Sequence, residues 1–94
     1  MDIPIRKREN KVVSATVGMF TTVEFVAHAL DRMALRSVSE NDVLTALRNP
    51  TKRELPADVP HKRIAWKKSK ARTLSVVYDE VGATRLRVIT VYWI

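Results

Sequence analysis

Polar residues dominate the first ten positions, and a change of period divides the rest of the chain in two. From Thr21 onward, apolar side chains recur at three- and four-residue steps: Val23, Val26, Leu30 and Met33. That spacing puts them on one side of an α-helix. At the head of the stripe, Thr21 and Glu24 have the spacing of a capping box. The pattern predicts a helix from Thr21 to about Arg36, a short break at Ser37 and Val38, and then a second helix. Ser39, with Asp42 three residues on, caps that second helix, and Val43, Leu44, Ala46 and Leu47 form its apolar side. It stops at Asn49-Pro50, because the residue before a proline resists helical angles.

From residue 51 the period shortens to two. Pro56 and Pro60 mark an irregular or edge segment, and Arg63 to Lys67 alternate weakly around Ile64 and Trp66. Thr73 to Asp79 reads as a strand, Glu80-Val81-Gly82-Ala83 as a turn, and Thr84 to Ile94 as a long final strand. Strict alternation along it places Leu86, Val88, Thr90 and Tyr92 on one face. Arg85, Arg87, Ile89, Val91 and Trp93 then take the other, and which face meets the helices stays open. The expected architecture is α+β: two N-terminal helices packed on an antiparallel sheet of three to four strands, in a single domain over 21–94. Residues 1–20 read as a basic N-terminal arm, with Lys11 to Phe20 rich enough in β-branched residues to add a strand.

Composition sharpens this picture. The chain has 94 residues, 46% of them apolar, enough for one modest core. No apolar run is long enough to cross a bilayer, and the start lacks the apolar stretch of a secretory signal. These features predict a cytoplasmic protein, or a toxin fragment delivered into a target cell's cytoplasm. The absence of cysteine and the presence of only two histidines, His28 and His61, argue against a structural zinc site. No metal and no cofactor are expected. The only glycines, Gly18 and Gly82, build no phosphate loop. Seventeen Lys and Arg against ten Asp and Glu give a net charge of +7, a field that draws polyanions. The expected partner is a nucleic acid, RNA in particular.

Three constellations carry candidate chemistry. On the first helix, Phe25, His28, Arg32 and Arg36 fall opposite the apolar stripe, a cationic ridge with one group able to exchange protons near neutrality. The same residues would also serve as a solvated face, with Glu24 and His28 as a four-residue pair. In the segment from His61 to Arg72, which has no acidic residue, Arg63, Lys67, Lys68, Lys70 and Arg72 surround Trp66. Cations around an aromatic ring suit a single-stranded nucleic acid, although Trp66 taken alone fits a core residue of an edge strand. On the last strand, the hydroxyls of Thr90 and Tyr92 could contact a phosphate, or simply decorate a half-exposed sheet.

The stretch from His28-Ala29-Leu30-Asp31-Arg32-Met33 to Arg36, with Val38-Ser39, Asp42-Val43 and Ala46-Leu47-Arg48-Asn49-Pro50, has a counterpart in known proteins. So does the ending Val88-Ile89-Thr90-Val91-Tyr92. Together they resemble a small bacterial domain family that recurs in toxin systems and is similar in layout to the RelE, colicin-type and EndoU-type ribonucleases. The resemblance implies metal-independent RNA cleavage, in which the ribose 2′-hydroxyl attacks the adjacent phosphate. His28 would be general base or acid, Arg32 and Arg36 would stabilise the transition state, and Thr90 and Tyr92 would orient the phosphate. Arg63 and Lys67 would track the RNA backbone. An antitoxin or immunity protein is the implied partner. The family often has glycine where this chain has Ser37, a departure expected to alter only the turn between the helices. Two other readings use the same surface: a non-catalytic nucleic-acid-binding module, and an interaction domain for an acidic partner.

Overall fold

In the computed structural model, residues 9–56 and 62–94 are described; the basic arm residues Arg6, Lys7 and Arg8, together with Pro60 and His61, lie outside them. Strands β1 (Lys11–Val17) and β2 (Phe20–Phe25) form a hairpin, followed by helices α1 (Ala27–Leu35) and α2 (Glu40–Arg48). The chain then continues through β3 (Lys52–Glu54), β4 (Lys62–Ser69), β5 (Arg72–Val81) and β6 (Arg85–Trp93). The strands make one six-stranded sheet in the order β1-β2-β6-β5-β4-β3. The sheet is mixed, because β2 runs parallel to β6 while every other neighbouring pair is antiparallel.

This corrects the expected antiparallel sheet of three to four strands, and the difference begins in one segment. Phe20–Phe25 is a strand, not the first turns of a helix. Val23 and Phe25 are fully buried on one side, with Thr22 and Glu24 on the other. Val23 belongs to a period-two strand and Val26 is the extended residue before α1, so their three-residue spacing matches a helix by coincidence. Nor is there a capping box at Thr21. Val26 at the N-cap makes no side-chain cap bond. The Ala27 N–H donates instead to Asn10 Oδ1 at 2.8 Å, a cap supplied from seventeen residues upstream. β3 escaped the pattern because its three residues, Lys52, Arg53 and Glu54, are all charged and exposed, as suits an edge.

The second helix forms as its sequence specifies. Ser39 Oγ accepts from the Asp42 N–H at 3.0 Å, and Asp42 Oδ2 accepts from the Ser39 N–H at 2.9 Å. Between the helices, Ser37 adopts φ 55, the left-handed conformation that glycine takes at a helix end. The Val38 N–H reaches back to the Met33 carbonyl at 2.8 Å, which closes the turn.

Both helices pack on one face of the sheet. Ala29 and Met33 from α1, with Val43, Ala46 and Leu47 from α2, join Val23, Phe25, Ala65, Leu74, Val76, Tyr78, Leu86, Val88 and Val91 in a single core. α1 lies chiefly against β6. The β2–β6 pairing ends at Phe25 and Val88, and the Val26 N–H then donates to the Val88 carbonyl. The remainder of β6 therefore has α1 beside it instead of a strand.

Candidate functional site

The opposite face of the sheet carries no helix among the described residues, and an irregularity in β6 decides what it displays. Val77 pairs with Thr90, but the next residue, Tyr78, pairs with Val88. Ile89 is the extra residue of a β-bulge, which shifts the alternation by one. Leu86 and Val88 therefore share the core face with Val91 and Trp93, whereas Arg85 and Arg87 share the open face with Thr90 and Tyr92. This corrects the strict alternation expected from the sequence, which set the arginines and the hydroxyls on opposite faces.

Strand pairing arranges the open face in rows. One row runs Lys52, Trp66, Ser75, Tyr92 across four strands. Trp66 Nε1–H donates to Ser75 Oγ at 2.9 Å, and the Lys52 ammonium sits 4.8 Å from the Trp66 ring centroid. The hydrogen bond fixes the indole while leaving it half-exposed. The next row is Ile64, Val77 and Thr90, and the one beyond it is Lys62, Asp79, Arg87 and Glu24.

Glu24 is the polar hub of that last row. Its Oε1 accepts from Arg87 Nε at 2.8 Å and lies 4.0 Å from an Arg85 nitrogen, and its Oε2 accepts from Asn10 Nδ2 at 3.2 Å. The Arg87 hydrogen bond holds the carboxyl below its ordinary 4.5 against the opposing effect of burial. Reciprocally, the Glu24 hydrogen bond raises the Arg87 guanidinium above its ordinary value. Since Asn10 also receives the Ala27 N–H, one asparagine links this carboxylate to the start of α1.

His28 is exposed in the first turn of α1, and its Nε2 accepts from Arg32 Nε at 3.4 Å. The two thus adjoin as the sequence suggested, but Glu24 is engaged with Arg87, not positioned as a helical partner of His28. Phe25, expected on the same ridge, is a fully buried strand residue. Arg36 caps the far end of α1, where its carbonyl accepts from Trp93 Nε1 at 2.9 Å.

The basic segment expected to surround Trp66 is mostly strand and divides between the two faces. Trp66 and Lys68 are on the open face, pairing with Ser75 and Thr73. Arg63 pairs with Tyr78 on the helix side and makes an ion pair with Glu80 at 3.0 Å. Lys67 lines a cleft of about 190 Å³ beside α2 with Asp42, Thr45, Leu74 and Trp93. Arg72 stacks 4.0 Å from the Trp93 ring centroid, and Lys70 occupies the hairpin turn with φ 52. Asn10, Arg85 and Arg87 join the site without having been expected there, and Glu24 is a strand residue, not part of the first helix. Only the alternation of Thr22 and Glu24 with Val23 and Phe25 hinted at a strand there.

The described residues define the architectural class: a two-helix, six-stranded α+β domain with a cation-rich sheet face that none of their helices covers. The chain belongs to the DUF4258 family, a domain of unknown function, whose model matches residues 25–93. No curated protein and no solved structure matches it. Among the described residues, no three or more His, Cys, Asp or Glu side chains stand together as a metal site. None of the helices there is long and apolar enough to cross a membrane.

Proposed function

We propose that the protein is a toxin-like ribonuclease that binds single-stranded RNA on the open sheet face and cleaves it without a metal ion. The observation that carries this reading is the β6 bulge, which gathers Arg85, Arg87, Thr90 and Tyr92 on one face. α1, which carries His28 and Arg32, packs against β6 from the core face, and its start is joined to β6 where the Val26 N–H donates to the Val88 carbonyl. Arginines would neutralise the phosphate, hydroxyls would orient it, and the half-exposed Trp66 and Tyr92 rings would stack on bases. In the reaction, a bond forms between the ribose 2′-oxygen and phosphorus while the bond from phosphorus to the 5′-oxygen breaks. The 2′-hydroxyl loses a proton and the 5′-oxygen gains one, and His28 handles one of these transfers. Fixed cations beside the phosphate stabilise the charge that builds up in between. An antitoxin or immunity protein would be the natural partner of such an activity.

A second reading, binding without cleavage, is favoured by the Lys52–Trp66 pair, which extends the open face to the β3 edge, three strands away from β6. One experiment separates the two. Single-stranded RNA is incubated with the purified protein and with His28→Ala, each with and without a chelator. Cleavage that survives the chelator, ends in a cyclic phosphate and falls at least about 100-fold in the variant is the expected result. Salt-sensitive binding without cleavage would leave the second reading. Cleavage of undiminished rate in His28→Ala would remove His28 from the mechanism.

A further inference from the structure

Transfer of a phosphoryl group to a neighbouring 2′-hydroxyl needs two proton-handling groups, one to take the hydroxyl's proton and one to supply the leaving oxygen. His28 alone supplies only one of them. We infer that Glu24 is the general base of this reaction and that His28 is the general acid, an assignment that rests on the ribonuclease reading above.

The geometry points to Glu24 for three reasons. It is on the open face, in the row of Arg87 and directly adjacent to the strand that bears Thr90 and Tyr92. Its carboxylate is bonded to Arg87 and approached by Arg85, so a phosphate drawn to those arginines would arrive beside a proton acceptor. Asn10 ties its second oxygen to the first residue of α1, one position before His28. The Glu24 carboxylate and the start of the helix that carries His28 are thus joined through a single side chain. The groups facing Glu24 are Arg85 and Arg87 from β6, with Asp79 of β5 beyond Arg87, Asn10 ahead of β1 and the uncharged Val12 opposite it on β1. With two cations adjacent, the carboxylate stays ionised at neutral pH, the state a base requires and an acid cannot use. About a tenth of the side chain remains open to solvent.

The test uses two substrates. One is an oligoribonucleotide; the other carries a 5′-bridging sulfur at the scissile phosphate, a leaving group that departs without being protonated. On ordinary RNA, both Glu24→Gln and His28→Ala are expected to lose about 100-fold or more in kcat. On the sulfur substrate, His28→Ala should recover to near the wild-type rate and Glu24→Gln should stay slow, since its missing step precedes departure. Binding of a 2′-deoxy analogue, which cannot react, and the melting temperature report whether Glu24→Gln is merely misfolded or unable to bind. A variant that folds, binds and stays slow on both substrates supports the assignment. A rate near wild type in Glu24→Gln on ordinary RNA, its recovery on the sulfur substrate, or a slowdown fully matched by lost analogue binding would overturn it. If the wild-type protein cuts neither substrate, the ribonuclease reading itself falls.

Discussion

The two faces of the sheet are built from the same strands yet carry opposite chemistry. On the helix side, Phe25, Val76, Val88 and Val91 are wholly buried, and three cations are tied down: Arg63 to Glu80, Arg72 over Trp93, and Arg53 to the Leu47 carbonyl at 2.8 Å. On the open side, Lys52, Lys68, Arg85 and Arg87 stand around half-exposed Trp66, Thr90 and Tyr92. One face therefore holds the buried core of the domain, and the other is left uncovered by the two helices. The parity of each strand and one inserted residue, Ile89, decide which side chain goes where.

Four substitutions test that division. The largest expected effect is on the covered face, where Phe25→Ala should cost about 3–5 kcal/mol of stability through the lost burial and the cavity left behind. Denaturant unfolding measures it, and a loss below about 1 kcal/mol would mean that the two faces are not energetically distinct. On the open face, Trp66→Ala should weaken binding of a single-stranded RNA by about 1–3 kcal/mol, as loss of a stacking platform does. Titration by fluorescence anisotropy would show it, and unchanged affinity would remove the β4 end from the binding path.

Arg85→Ala should act more evenly. It is expected to weaken RNA of any sequence alike and to reduce the slope of log affinity against log salt by about one. A sequence-dependent loss would point to base contact instead. The smallest effect is expected on neither face. Ser37 has a left-handed backbone, which costs a residue with a side chain about 1–2 kcal/mol, so Ser37→Gly should be neutral or raise stability by at most about 1 kcal/mol. RNA binding should not change; if it does, the helix turn is coupled to the open face.

Glu24 adds a pH signature to the boundary between the faces. Its folded-state carboxyl lies below the ordinary 4.5, so the unfolded chain binds more protons than the folded one in that range. The stability this group contributes is complete above 4.5 and is lost as the pH falls through the depressed folded value. Melting curves of wild type and Glu24→Gln should therefore converge as the pH drops below 4.5. Curves that stay parallel would mean that the Arg87 pair adds nothing to folding.

Features set by neighbouring residues were legible from the sequence alone. The Ser39–Asp42 box, the stop at Asn49-Pro50, the turn at Gly82 and the strands on either side of it depend on contacts within a few positions, and the structure has them. So did the adjacency of His28 and Arg32, one helical turn apart. Only the tertiary structure could decide the rest. The start of α1 is capped by Asn10 from a remote segment, and β2 is held as a strand by its parallel partner β6. The Glu24–Arg87 pair spans sixty-three positions, and the bulge at Ile89 is visible only against the register of β5. Periodicity records which side chains one local element can bury. Caps, pairings and register shifts that arise between distant segments leave no trace in it, and in this protein they are what assemble the open face.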